Sequence, residues 1–328
     1  MGSLTCLGIE GTAHTFGVGI INSEGKVLAN EKSVYNPQLG KGIVPHEAAQ
    51  HHKENCEKIL KNALLKANLE LKDIDVLAYS CGPGLSPPLI FTANFAIELS
   101  KKHKKPLLPA NHCVAHLEIG KLMTHTKEPV YMYLSGGNTQ VIAFVEGKYR
   151  IFGETEDIPI GNCLDIVSRE MGLPMPGGVE IEKLAKNGEY VELPYVVKGM
   201  DVSFSGIATA AIRLLKDGVR KENVAYSLQE TCFSMLTEVT ERAVAHIGKE
   251  EVLLVGGVAV NKRLQQMVNQ MCEEREAKMY VVPKEYGGDN GLMIAWTGLL
   301  AYKSGWKPGF KDKIKPKWRT DEVSWFQT

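Results

Sequence analysis

One rhythm occurs twice in this chain. Residues 4–32, LTCLGIEGTAHTFGVGIINSEGKVLANEK, read as an apolar strand, a glycine turn at Glu10 to Thr12, a second apolar strand, a turn at Asn22 to Gly25 and a third strand. Residues 130–152, VYMYLSGGNTQVIAFVEGKYRIF, run strand, glycine turn, strand, turn, strand again, about 125 residues further on. Two copies of one three-stranded unit, each followed by helical segments, constrain the chain to a duplicated α/β fold.

The segments between the copies alternate in period. Residues 48–68 carry a helical face of Cys56, Ile59, Leu60, Ala63 and Leu64, and 76–80 form a short buried strand. CGPGLSPPL is a loop before a helix near 89–102. Leu107 and Leu108 form a short strand ahead of a helix that opens on His112. After the second copy, helices are expected at 162–171, 179–187, 207–215, 224–247 and 292–303. EVLLV and YVVP are buried strands, and KEYGGDNG is a loop. The chain therefore divides into a first domain, 4–129, a second, 130–304, and a basic, extended tail, 305–328.

Bulk composition excludes little but excludes it clearly. Lys plus Arg and Asp plus Glu are both 38 in 328 residues, so net charge gives no reason for tight nucleic-acid binding by this chain alone. No apolar run reaches the roughly 18 residues of a membrane span. Gly2 lacks a myristoylation pattern, because Cys6 stands where Ser or Thr is required. Seven scattered cysteines without a CxxC pair suit buried thiols in a reducing cytoplasm.

His112 and His116 stand four residues apart on one helical face, about 5–6 Å apart at Cβ. Neutral imidazoles at that spacing can share a metal ion; the alternative is a pair of half-buried structural histidines. The glutamate of an HExxH protease is missing, since Cys113, Val114 and Ala115 lie between them. A second group, His46, Glu47, His51 and His52, reads as a polar helix start with His51 and His52 pointing apart. In YLSGGNTQ, Gly136 and Gly137 let phosphate oxygens approach the main chain, unless this is a plain hairpin turn. Similar turns in IEGTAH and LVGGVAVN would suit a nucleotide if all three faced one cleft. Asp289 in GGDN is either a helix N-cap or a ligand aimed into a cleft. Asp165 and Glu182 flank PMPGG and could accept ribose hydroxyls, though solvated helix carboxylates look the same in sequence. KKHKK and KDKIKPKWR could touch RNA phosphates or simply be solvated.

In this order, KKPLLPANHCVAHL, YLSGGNTQ, DVSFSGIATA, GGVAVNKRL and GGDNG resemble the TsaD family. Over residues 4–303 the chain is similar to the archaeal and eukaryotic catalytic subunit of the KEOPS complex. The resemblance implies an actin/sugar-kinase/Hsp70-like fold, two related α/β domains with a nucleotide cleft between them. It implies transfer of threonylcarbamoyl from threonylcarbamoyl-AMP to N6 of the adenosine beside the anticodon, in tRNAs reading codons that start with A. Carried over by motif, His112, His116, Tyr133 and Asp289 are metal ligands. Iron is the implied ion and zinc the alternative. Tyr133, Leu134, Ser135, Gly136 and Gly137 correspond to the phosphate and acyl contact, and Asp165, Gly178, Glu182 and Asn261 to the adenine-nucleotide contact.

Sugar kinases and actins carry Asp before the first turn, where this chain has Glu10, so ATP hydrolysis is not implied. No general base is read from the sequence, and Glu10 is the one catalytic candidate. The partners implied are tRNA, a small atypical kinase, separate or fused, and small accessory subunits, with no membrane. The kinase is expected near the helices of 48–105. The rival readings are a metalloprotease, which the missing HExxH glutamate disfavours, and a non-catalytic ATP-binding scaffold.

Overall fold

The computed structural model describes residues 3–37, 42–307 and 313–324. Residues 1–2, 38–41, 308–312 and 325–328 lie outside the described residues, among them Gly2 and Lys311, the first residue of KDKIKPKWR. The chain forms two units, Met1–Leu122 with Gly288–Thr328, and Met123–Gly287.

In the first unit, β1 (Thr5–Glu10), β2 (Thr15–Asn22) and β3 (Val27–Val34) form an antiparallel meander. Then β4 (Val76–Gly82) and β5 (Leu107–Asn111) extend the sheet in parallel, giving the order β3-β2-β1-β4-β5. Between β3 and β4 runs α1 (Pro45–Ala67), with Pro at its start and Asn68 in the left-handed conformation at its end. Between β4 and β5 runs α2 (Ser86–His103), also opened by proline. Phe16 on β2 meets Phe91 and Phe95 of α2, so α2 covers the face to which Phe16 points. α3 (His112–Thr124) follows β5 directly.

The second unit repeats this order. β6 (Val130–Leu134), β7 (Thr139–Val145) and β8 (Lys148–Glu154) are antiparallel, and β11 (Glu251–Val255) and β12 (Lys278–Val281) add in parallel beside β6. The sheet reads β12-β11-β6-β7-β8, the strand order of the first sheet around its own first strand. α4 (Ile160–Glu170), α5 (Gly177–Ala185), α6 (Ser205–Lys216), α7 (Lys221–Ile247) and α8 (Lys262–Glu274) enclose its apolar core. A two-stranded hairpin, β9 (Val197–Lys198) and β10 (Asp201–Val202), joins β8 through Asp201, whose carboxylate accepts from Glu154 N at 2.9 Å.

The chain then turns through α9 (Lys284–Gly287), four residues of helix where a loop is expected, and returns to the first unit. There α10 (Gly291–Lys303) lies on the sheet face opposite Phe16. A Cβ on Gly8 would stand 2.1 Å from Ala295 N, and one on Gly19 2.1 Å from Leu292 N. The alternating glycines of β1 and β2 therefore exist to let a helix backbone touch a strand backbone. A linear division at 129/130 does not contain this return. Nor is the tail simply extended. Residues 313–324 pack on the first unit, with Trp318 and Val323 buried and a 3₁₀ turn at Thr320–Glu322.

A candidate metal centre and a set of glycine turns

α3 begins at His112 because Asn111 caps it, Val114 N donating to Asn111 Oδ1 at 3.0 Å. The helix then places His112 and His116 one turn apart, ring centroids 4.8 Å from each other. From the other end of the chain, Asn290 caps α10, its Oδ1 accepting from Met293 N at 3.0 Å. Asp289 is thus not the N-cap that its sequence position allowed. It stands one residue outside the helix, and Oδ1 reaches His116 Nε2 at 3.3 Å and His112 Nε2 at 3.5 Å.

Among the described residues, His112, His116 and Asp289 form a group whose ligand atoms all lie within 4.8 Å of one another. Both imidazoles are buried, while the Asp289 side chain retains 19% of its exposure. Two imidazole nitrogens and one carboxylate oxygen suit zinc or iron chemically. The far nitrogen of His112 is engaged as such a ligand would need: Nδ1 lies 3.1 Å from Glu10 Oε2.

Glu10 is fully buried. Its Oε1 accepts from Thr12 N at 2.8 Å and from Thr12 Oγ1 at 2.6 Å, and its Oε2 faces His112. Thr12 Oγ1 also stands 3.3 Å from His112 Nδ1. The turn itself is closed from within: Gly11 N donates to Ser80 Oγ at 3.0 Å, and Thr92 Oγ1 donates to Gly11 O at 3.3 Å. The two amides serve Ser80 of β4 and Glu10, so this turn does not offer the free N–H groups that its glycine suggested. Thr12, Ser80 and Asn111 were not singled out in the sequence. The asparagine directly before a histidine helix was the one available signal, as an N-cap.

Charge follows the contacts. Burial disfavours a charged His112, but Glu10 and Asp289 outweigh it and push the imidazole up to about 9. Burial holds His116 below the ordinary histidine value. Burial also opposes charge on Asp289, yet the His116 hydrogen bond and the His112 charge hold its carboxyl well below the usual range. The two acidic neighbours thus favour a proton on His112, and a metal binding at its Nε2 competes with that proton.

The second histidine group opens a helix as expected, with His46 and Glu47 exposed in its first turn, but its histidine doublet does not stay polar. His52 turns fully inward onto Phe16, with ring centroids 5.5 Å apart. His51 does not point away from it: the Nδ1 atoms are 3.4 Å apart, and His51 Nε2 meets Ser33 Oγ at 2.8 Å. Glu47 accepts from Tyr35. His46 lies in the first turn of α1.

In the second unit, Tyr133 and Leu134 are buried at the end of β6, and the turn Ser135 to Asn138 follows. Ser135 Oγ accepts from Gly137 N at 3.2 Å and Asn138 N at 2.9 Å, so the Gly137 N–H is already engaged. Space beside Gly136 and Gly137 is open, with nothing within 4 Å of an added Cβ. Two further glycines crowd this turn from behind. A Cβ on Gly161, in α4, would stand 2.6 Å from Ser135 O, and Gly256, at φ +94°, would bring one to 2.2 Å from Leu134 O. The glycine turns after β6 and β11 and the start of α4 thus meet at one place.

Beside them, Asp165 Oδ1 accepts from Gly177 N at 2.8 Å, with Gly178 next in the chain. Glu182 Oε1 accepts from Lys262 N at 2.7 Å. Asn261 caps α8 through Arg263 N and Leu264 N, and donates to Gln229 Oε1 at 3.0 Å. It is buried, with its amide committed on both sides, and acts here as the joint between α7 and α8.

The family model TsaD, tRNA N6-adenosine threonylcarbamoyltransferase, matches residues 25–296. The chain is 54% identical, over 99% of its length, to the probable bifunctional tRNA threonylcarbamoyladenosine biosynthesis protein of Methanocaldococcus jannaschii, and spans 61% of that longer protein. It is also 54% identical, over 98% of its length and 100% of the relative's, to the tRNA N6-adenosine threonylcarbamoyltransferase of Thermococcus sibiricus. Among solved structures, T. kodakarensis HypF superposes with a TM-score of 0.62 at 15% identity, over 90% of this chain and 47% of that one. At that identity the likeness is one of fold, the actin/sugar-kinase/Hsp70-like arrangement.

Proposed function

The chain belongs to the TsaD family of tRNA N6-adenosine threonylcarbamoyltransferases, and from that premise we propose a metal-assisted acyl transfer onto tRNA. The donor is threonylcarbamoyl-AMP and the acceptor the N6 amine of the adenosine next to the anticodon, in tRNAs reading codons that start with A. The new bond joins N6 to the carbamoyl carbon, the carbon–oxygen bond to phosphate breaks, AMP leaves, and the amine gives up one proton. An adenine amine is a poor nucleophile because its lone pair is delocalised into the ring, so the mixed anhydride and its stabilisation must carry the rate.

His112, His116 and Asp289 hold one metal ion, iron or alternatively zinc, and the family motif adds Tyr133. When bound, that ion supplies Lewis-acid stabilisation of charge on the phosphate or carbonyl oxygen. Glu10 touches no substrate in this account. Its Oε2 accepts a hydrogen bond from His112 Nδ1–H, which fixes the tautomer and leaves the Nε2 lone pair for the ion. Thr12 holds the other carboxylate oxygen, so the imidazole cannot rotate without breaking a buried network. Gly136 and Ser135 line the open side of the β6–β7 turn and suit the adenylate phosphate; the Gly137 N–H is spent on Ser135 Oγ. The family motif assigns the nucleoside to Asp165, Gly178, Glu182 and Asn261; Asp165 and Glu182 each have one carboxylate oxygen spent on a neighbouring backbone N–H, which in Glu182 leaves the other for a hydroxyl.

The setting proposed is a cytoplasmic KEOPS-type assembly with a small atypical kinase and small accessory subunits. Its support is the near-neutral charge, which leaves tRNA capture to partners, and seven free cysteines suited to a reducing compartment. Relatives that join a second activity to this one in a longer chain fit the same arrangement.

The observation that carries the reading is the convergence of two imidazoles and a distant carboxylate within 4.8 Å in a chain of this family. The test is a reconstituted assay with tRNA, threonylcarbamoyl-AMP and the partner subunits, omitting one component at a time. Transfer that requires this chain, and is lost in His112→Ala and His116→Ala, supports it. Transfer that proceeds without the chain, or at full rate with both histidines replaced, overturns it.

A further inference from the structure

Asn111 has two jobs. Its Oδ1 caps α3, the helix of His112 and His116, by accepting from Val114 N. Its Nδ2 points the other way and donates to Trp318 O at 3.1 Å and Arg319 O at 3.3 Å. The side chain is fully buried, so these bonds are made away from water. The segment it grips is tied down along its length. Tyr79 Oη donates to Lys313 O at 2.9 Å, Lys315 N to Cys81 O at 2.7 Å and Gly84 N to Pro316 O at 3.1 Å. Trp318 is itself buried, with Lys315 Nζ 5.0 Å from its ring centre.

We propose that the strap 313–320 is a latch for the metal-binding helix, with Asn111 as a positioning residue for the centre. One planar amide joins the strap's carbonyls to the first turn of α3, the turn that holds His112. Shifting the strap must therefore rotate that amide or break a buried hydrogen bond at the turn. An ion that fixes His112 and His116 fixes the same amide, and by linkage it steadies the strap. The inference rests on the reading of His112, His116 and Asp289 as ligands. It adds that metal binding and the order of the C-terminal strap are coupled.

Amide hydrogen exchange of the full chain, with and without Zn²⁺, tests this in the unaltered protein. The latch predicts that Zn²⁺ slows exchange of Lys315 and Trp318 at least tenfold, while amides of α7 in the second unit are unchanged. Asn111→Asp keeps the helix cap but turns an acceptor toward two carbonyl oxygens. It should weaken Zn²⁺ binding about tenfold, measured against a competing chelator, and abolish the effect of Zn²⁺ on strap exchange. Zn²⁺ bound at the histidines with strap exchange unaltered overturns the latch alone. Absence of binding both by Zn²⁺ and by iron offered in its place overturns the metal centre and the latch together.

Discussion

His116 Nε2 lies 3.3 Å from Asp289 Oδ1 across 173 residues of sequence. The contact depends on how closely α10 approaches β1 and β2, because Asp289 immediately precedes the capped start of that helix. Four backbone positions, Gly8, Gly17, Gly19 and Gly291, have no room for a Cβ at this seam. Close backbone packing, rather than any local motif, delivers the carboxylate to the imidazoles.

Gly19→Ala is therefore expected to damage the site from a distance. The added methyl would meet the backbone of Leu292, which cannot swing aside as a side chain can. We expect a loss of about 1–3 kcal/mol in unfolding free energy, as for an overpacked core. Metal affinity should fall with it, since α10 must shift to relieve the clash. Denaturant unfolding and a chelator competition on the same protein check both parts; a stable variant with unaltered affinity contradicts the seam argument.

Glu10→Ala should separate positioning from ligation. The variant keeps all three ligands but frees His112 Nδ1 and leaves a cavity beside Thr12. A roughly 10–100-fold loss of metal affinity is expected for a partner of this kind. Glu10→Gln, which retains an acceptor oxygen, should recover part of it. Equal losses in both variants would point to the carboxylate's charge instead of its geometry.

Acid should destabilise the first unit through His52. Burial first, then the neighbouring His51 and His14, lower its pKa to about 4. An imidazole exposed on unfolding titrates near 6.5, so below that pH the unfolded chain binds the proton more readily than the folded one. The stabilisation is complete above about pH 6.5 and is lost as pH falls toward 4, by about 2–3 kcal/mol at pH 4.5 for a shift of this size. Urea midpoints of the wild type and of His52→Leu, measured at pH 7 and 4.5, check it. The variant should show a smaller drop between the two pH values, and an identical drop would exclude His52 as the cause.

The duplicated meander was legible in the sequence because alternating strands and glycine turns are local signals, and both sheets have the order that the repeat implies. The i, i+4 histidines were legible for the same reason: helical periodicity alone puts them on one face. Asp289 was ambiguous because GGDN reads equally well as a cap, and only the structure assigns that job to Asn290. Glu10's role was hidden because its partner His112 is 102 residues away, and no periodicity links them. The inward turn of His52 was missed for a different reason. A histidine doublet near a helix start looks polar, whereas Phe16, which receives it, comes from a strand far earlier in the chain. The return of α10 and the strap to the first unit escaped a linear division because contacts between chain ends leave no compositional trace.

The most direct measurement is X-ray absorption fine structure at the edge of the metal bound to the full chain, compared with Asp289→Ala. The account predicts scattering from two imidazoles with oxygen at the remaining positions, and one oxygen ligand altered or lost in the variant. A spectrum without imidazole scattering, or one dominated by sulfur, would contradict it.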